Sequence, residues 1–174
     1  MASKKVVVAI VFITIIAISA YVMFSYYGLK EDGVYIYYPV EEKIVSKIFK
    51  PWKQPIGAYA LILIISSNDP IYEKATTSIK ELVEKISGID NIYLGVVQCK
   101  NLVECEDKIA QATFNHYMFL IRGFTGKILR PPLIVLSYNE GPSLRIIKVI
   151  KAKDGIPDSN ELYALIIENL GKKS

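Results

Sequence analysis

Two cysteines, Cys99 and Cys105, and a single histidine, His116, limit the thiol, metal and imidazole chemistry open to this chain. Cys99-Lys100-Asn101 reads as a turn, which can bring the two cysteine α-carbons within the roughly 4.4–6.8 Å that a disulfide requires. A structural disulfide is therefore the leading expectation. Two unpaired thiols, or a redox-active or metal-binding pair, remain the alternatives. A zinc or copper centre drawn from Cys99, Cys105 and His116 would have only three ligands and none of the close ligand pairs typical of zinc sites, so neither a metal nor another cofactor is expected. No Gly-x-Ser-x-Gly sequence provides a hydrolase nucleophile. Gly123-Phe124-Thr125-Gly126-Lys127 lacks the glycine spacing and the trailing Ser or Thr of a phosphate loop, and reads as a flexible connection.

These residues must be positioned by the elements around them. Residues 34–38 (Val-Tyr-Ile-Tyr-Tyr) read as a short strand ending at Pro39, and residues 41–49 as a helix broken by Pro51 and Pro55. Residues 58–65 (Ala-Tyr-Ala-Leu-Ile-Leu-Ile-Ile) form a continuous apolar run, as in a central strand buried on both faces. Asp69 is suited to cap the next helix and Pro70 to occupy its first position, with Ile71, Ala75, Ile79, Leu82, Val83 and Ile86 on one face and Gly88 at its end. A strand over 92–97 and a helix over 104–120 follow, with the cysteines at their junction. Residues 133–138 and 144–152 flank Asn139-Glu140-Gly141-Pro142 as a hairpin, and the apolar phase slips at Ile146-Ile147, the mark of a bulge. Asp158 and Glu161 have capping-box spacing before a last helix closed by Gly171. The alternation of strands and helices predicts parallel pairing first, with the late hairpin as an antiparallel edge.

Ahead of this α/β domain, over residues 30–174, and after a short tail over 1–5, the 24 residues from Val6 through Leu29 carry no charge. As a helix they would reach about 36 Å, enough for a hydrocarbon core of about 30 Å. Tyr21, Tyr26 and Tyr27 sit where aromatic rings favour the membrane interface. A cleaved signal peptide is the rival reading, but the apolar run continues past the small residues at Ala17-Ile18-Ser19-Ala20. The expectation is one transmembrane helix in the cell membrane, with the bilayer as partner. Lys4 and Lys5 touch the apolar run and place the N-terminus in the cytoplasm and the domain outside.

The formal charge is +4, yet setting aside Lys4 and Lys5 leaves 19 basic residues against 17 acidic ones. They are interleaved, so no nucleic-acid footprint arises. Abundant Lys, Glu, Ile and Tyr give a balance like that of thermophile proteins. Trp52, the only tryptophan, could cap the core or touch headgroups or a partner.

The element order resembles the thioredoxin fold over residues 34–170. Three features carry the likeness: the apolar strand running into Ser66-Ser67-Asn68-Asp69-Pro70-Ile71, Pro131 before residues 133–136, and the terminal hairpin with its capped helix. In that family a Cys-x-x-Cys motif occupies the helix start, where the helix dipole lowers a thiol pKa. Here the matching positions are Asn68-Asp69-Pro70-Ile71, with no thiol to attack a disulfide. Pro131 resembles the family's cis-proline, which helps present backbone to an extended peptide. The resemblance thus implies a binding surface of Asn68, Asp69, Pro70, Arg130 and Pro131 without a catalytic residue. It implies a redox-inactive protein-binding, assembly or accessory-subunit module with a membrane or extracytoplasmic protein partner. A thiol-disulfide oxidoreductase using Cys99 and Cys105, and a structural subunit of a larger membrane or cell-surface complex, are the alternatives.

Overall fold

Residues 31–39, 51–152 and 155–171 are described by the structure, a computed structural model. The expected membrane segment and the expected helix over 41–49 lie outside these residues. Among the described residues no helix is long and apolar enough to cross a membrane.

The apolar run forms β2 (Tyr59–Ser66), and its alternating side chains explain why it lies at the centre. Tyr59, Leu61, Leu63 and Ile65 enter one core while Ala60, Ile62 and Ile64 enter the other. A strand with two apolar faces needs cover on both, and helices supply it. On one side lie α1 (Tyr72–Ile86) and α3 (Ser159–Leu170), packed through Ile79, Leu82, Leu162 and Ile166. On the other lies α2 (Lys108–Thr125), packed through Ile109, Ala110, Tyr117 and Ile121.

Five strands make one mixed sheet in the order β1-β3-β2-β4-β5, with β1 at Gly33–Tyr38, β3 at Ile92–Cys99, β4 at Leu133–Asn139 and β5 at Leu144–Lys151. β2 runs parallel to β3 and antiparallel to β4, and β4 pairs antiparallel with β5. The bulge expected in the last strand is present: Leu136 faces Lys148 and Ser137 faces Ile146, leaving Ile147 as the extra residue. Asp158 and Glu161 form the expected reciprocal capping box.

Three expectations are corrected. β1 runs antiparallel to β3. Tyr38 and Leu61 both align with Leu94, so β1 finishes at the sheet end where β2 starts, and no crossover along the sheet is needed. Next, α1 starts at Tyr72 and not at Pro70, because residues 67–71 form turns and Asp69 acts within them. Finally, α2 begins at Lys108, with the Asp107 side chain accepting from the Ala110 N–H, and continues through Gly123. Its stop is Gly126, where φ is +68° and a residue without Cβ is favoured.

Candidate functional site

Register sets what meets at one end of the sheet. Ser66 pairs with Cys99 in the parallel ladder, and Ile64 with Leu133 in the antiparallel one. The end of β2, the end of β3 and the approach to β4 therefore share an edge. Residues 66–71, the disulfide loop and residues 130–132 all lie there.

The turn after β2 is tied by hydrogen bonds on both sides. The Ser67 N–H donates to the Cys99 carbonyl at 3.0 Å, and the Ser66 hydroxyl to the Lys100 carbonyl at 2.9 Å. The Asn68 amide reaches the same Lys100 oxygen at 3.3 Å. Asp69 accepts from the Ile71 N–H at 3.1 Å through its side chain, and from the Tyr72 N–H at 3.0 Å through its carbonyl. Its carboxylate thus serves a side-chain turn just ahead of the helix, where N–H groups lack intrahelical partners. Asn68 and Pro70 are exposed and Asp69 is half-buried, so the turn carries an amide and a carboxylate at the surface.

Across the edge Arg130 is exposed, Pro131 is half-buried and Pro132 is buried. Of two cis peptide bonds among the described residues, Tyr38-Pro39 and Pro131-Pro132, the second lies on this edge, so the cis residue here is Pro132, one position beyond the proline singled out by sequence. Two adjacent prolines made the choice between them a matter of register, which residue types alone do not fix.

Cys99 and Cys105 are joined, with their α-carbons 5.3 Å apart. The bridge is buried, at 0% and 5% relative exposure for the two residues. Asp32 brackets its loop: one carboxylate oxygen accepts from the Lys100 N–H at 2.6 Å, the other from the Glu106 N–H at 2.8 Å. Gln111 accepts from the Cys105 N–H at 2.7 Å. Asp32 is 8% exposed, and sequence reading missed it, since an acid before a strand resembles an ordinary surface residue. Its one signal was the Asp-Gly pair opening β1.

A second buried polar chain was also missed. The Tyr72 phenol donates to the Gln98 side-chain oxygen at 2.5 Å, and the Gln98 amide donates to the Glu31 carbonyl. It joins the first residue of α1 to the residue before Cys99. Burial pushes Tyr72 up to about 12, nearby Tyr37, Glu73 and Tyr35 add to the shift, and the Gln98 bond opposes it. On the other face burial likewise raises the Tyr117 phenol. Ser137 opposes that rise.

His116 is not brought to the cysteines. It is exposed and lines a cavity of about 520 Å³ between residues 51–56 and the hairpin turn at the opposite end of the sheet. Trp52 is a core cap there: its ring lies 5.9 Å from that of Tyr93, and its backbone N–H donates to the Thr113 hydroxyl at 2.8 Å. Gln54 pins the same segment, donating to the Ala58 carbonyl at 2.6 Å and accepting from the Ser137 hydroxyl at 2.8 Å.

A mixed five-stranded sheet in this order, with helices on both faces, defines a thioredoxin-like α/β fold. Among solved structures, the crystal structure of thioredoxin from Aeropyrum pernix is similar, with a TM-score of 0.51 and 14% sequence identity over 84% of this chain and 98% of that one. At that identity the likeness concerns the fold. No sequence-family profile and no curated protein matches the chain.

Proposed function

We propose that this chain is a membrane-anchored, redox-inactive thioredoxin-like protein whose domain binds another protein as an assembly or accessory-subunit module. The observation that carries the reading is chemical. The helix start after β2, where thiols would be needed, holds Asn68-Asp69-Pro70-Ile71, and both cysteines of the chain are committed to a buried bridge. A nucleophile must be a thiolate that a substrate can reach. The edge that remains combines exposed Asn68, Pro70 and Arg130 with the cis Pro131-Pro132 bond.

The uncharged stretch from Val6 through Leu29 supports anchoring in the cell membrane, and the disulfide supports an oxidising, extracytoplasmic setting for the domain. The oxidoreductase alternative draws on the closeness of Cys99 to the turn at Ser66 and Ser67, but requires the bridge to open.

A photo-crosslinking side chain placed at Asn68 or Arg130 of the membrane-extracted full chain should give discrete adducts with one protein partner. The same group at Glu84, on the exposed face of α1, should give none. Identical adducts from all three positions, or none from Asn68 and Arg130, would count against this edge as a docking surface.

A further inference from the structure

We infer that the reduced form of this chain binds a zinc-like divalent cation through Cys99, Cys105 and Asp32. One donor atom from each lies within 4.8 Å of the others. All three residues are buried, and they come from three separate segments: the approach to β1, the end of β3 and the loop before α2. Zinc bonds of about 2.3 Å to sulfur and 2.0–2.2 Å to oxygen set neighbouring donors about 3.5–3.8 Å apart in a tetrahedron. The carboxylate need approach by about 1.3 Å at most, and the reduced sulfurs need only separate to that spacing. Water fills the fourth position.

The surroundings suit the ion. Asp32 is already aimed by the Lys100 and Glu106 N–H groups, and Cys105 by Gln111, which is the outer support that metal ligands usually have. Two thiolates and a carboxylate around a divalent ion leave one net negative charge, which those N–H donors face. A monovalent copper ion would leave two negative charges in the same buried place, and calcium or magnesium would meet soft sulfur ligands. The loop at residues 100–104 is largely exposed and gives access once the bridge is open.

The chemistry balances with a phosphine reductant. One disulfide, one phosphine and one water give two thiols and one phosphine oxide. The cation then displaces both thiol protons. The newly made chain, before oxidation, is in the same thiol state. This site does not depend on the docking surface proposed above.

The test uses the full chain reduced with a water-soluble phosphine, freed of reductant without oxygen, and titrated with cadmium as a spectroscopic substitute for zinc. One equivalent should bind, with a thiolate-to-cadmium absorption band and release of protons. Zinc should displace cadmium and raise the unfolding temperature of the reduced chain but not of the oxidised chain. Asp32→Asn should weaken cadmium binding about tenfold or more, and Cys105→Ser should abolish the band. Absence of the band in the reduced wild-type chain would overturn the site. So would undiminished affinity in Asp32→Asn. The zinc-dependent shift in the wild-type chain keeps the test decisive if either variant fails to fold.

Discussion

At the scale of single residues, the edge of the sheet is governed by polar side chains whose partners lie far away in sequence. Asp32 holds Lys100 and Glu106, and Tyr72 holds Gln98. Buried polar groups are tolerated when they are bonded, so such pairs fix loops to the sheet more specifically than apolar contacts do. The Tyr72 phenol has an expected pH signature. Its folded pKa of about 12 lies above the ordinary 10.0, so the unfolded chain gives up this proton first as pH rises. Its contribution is fully present below pH 10 and is lost as pH climbs toward 12. Denaturant unfolding at stepped alkaline pH should show wild-type stability falling across that window, and Tyr72→Phe should flatten the part of the fall that belongs to this phenol. An ultraviolet titration in which Tyr72 ionises together with half-buried tyrosines such as Tyr93 and Tyr163 would refute the assignment. None of these partners was legible in the sequence, because an Asp, a Gln and a Tyr carry no local sign of what they meet across 26 or more positions.

At the scale of elements, legibility follows how local the cause is. The capping box at Asp158 and Glu161, the slip at Ile146-Ile147 and the doubly buried β2 could be read because each is written within a few consecutive residues. The direction of β1 could not, since it depends on where the chain leaves one strand and joins another. The bounds of α2 were misplaced for a related reason. Gly123 looks like a terminator locally, yet the helix runs on because its apolar face is still covered at Ile121. Gly95 shows the opposite case, a residue whose role is visible only in three dimensions. A Cβ there would stand 2.7 Å from an Ile36 methyl, 2.8 Å from the Tyr35 carbonyl oxygen and 3.1 Å from an Ile62 methyl. The carbonyl cannot retreat without disturbing the β1–β3 ladder. Gly95→Ala should therefore cost about 1–3 kcal/mol, read as a lower denaturant midpoint with an unchanged slope. Unaltered stability would mean that β1 shifts freely, against its register with β3.

For the whole molecule, two apolar cores on opposite faces of one sheet leave the strand ends as the place where loops from distant segments converge. Here that edge holds the turn after β2 and the cis Pro131-Pro132 bond. The resemblance to the thioredoxin fold implied that Asn68, Asp69, Arg130 and Pro131 share one surface, and the observed register brings the end of β2 to the start of β4. The exact cis proline and the role of Asp32 are set by the folded chain and leave no local sign in the sequence. Whether this edge binds or reacts is decided by the accessibility of sulfur, and the bridge at Cys99 and Cys105 is enclosed. Turnover of a protein disulfide substrate with a dithiol as electron donor measures this directly, with the full chain compared to its Cys99→Ser/Cys105→Ser double variant. Equal rates for the two, both at the level of the dithiol alone, are the predicted result. A wild-type rate well above the dithiol background, lost in the double variant, would contradict the non-catalytic reading.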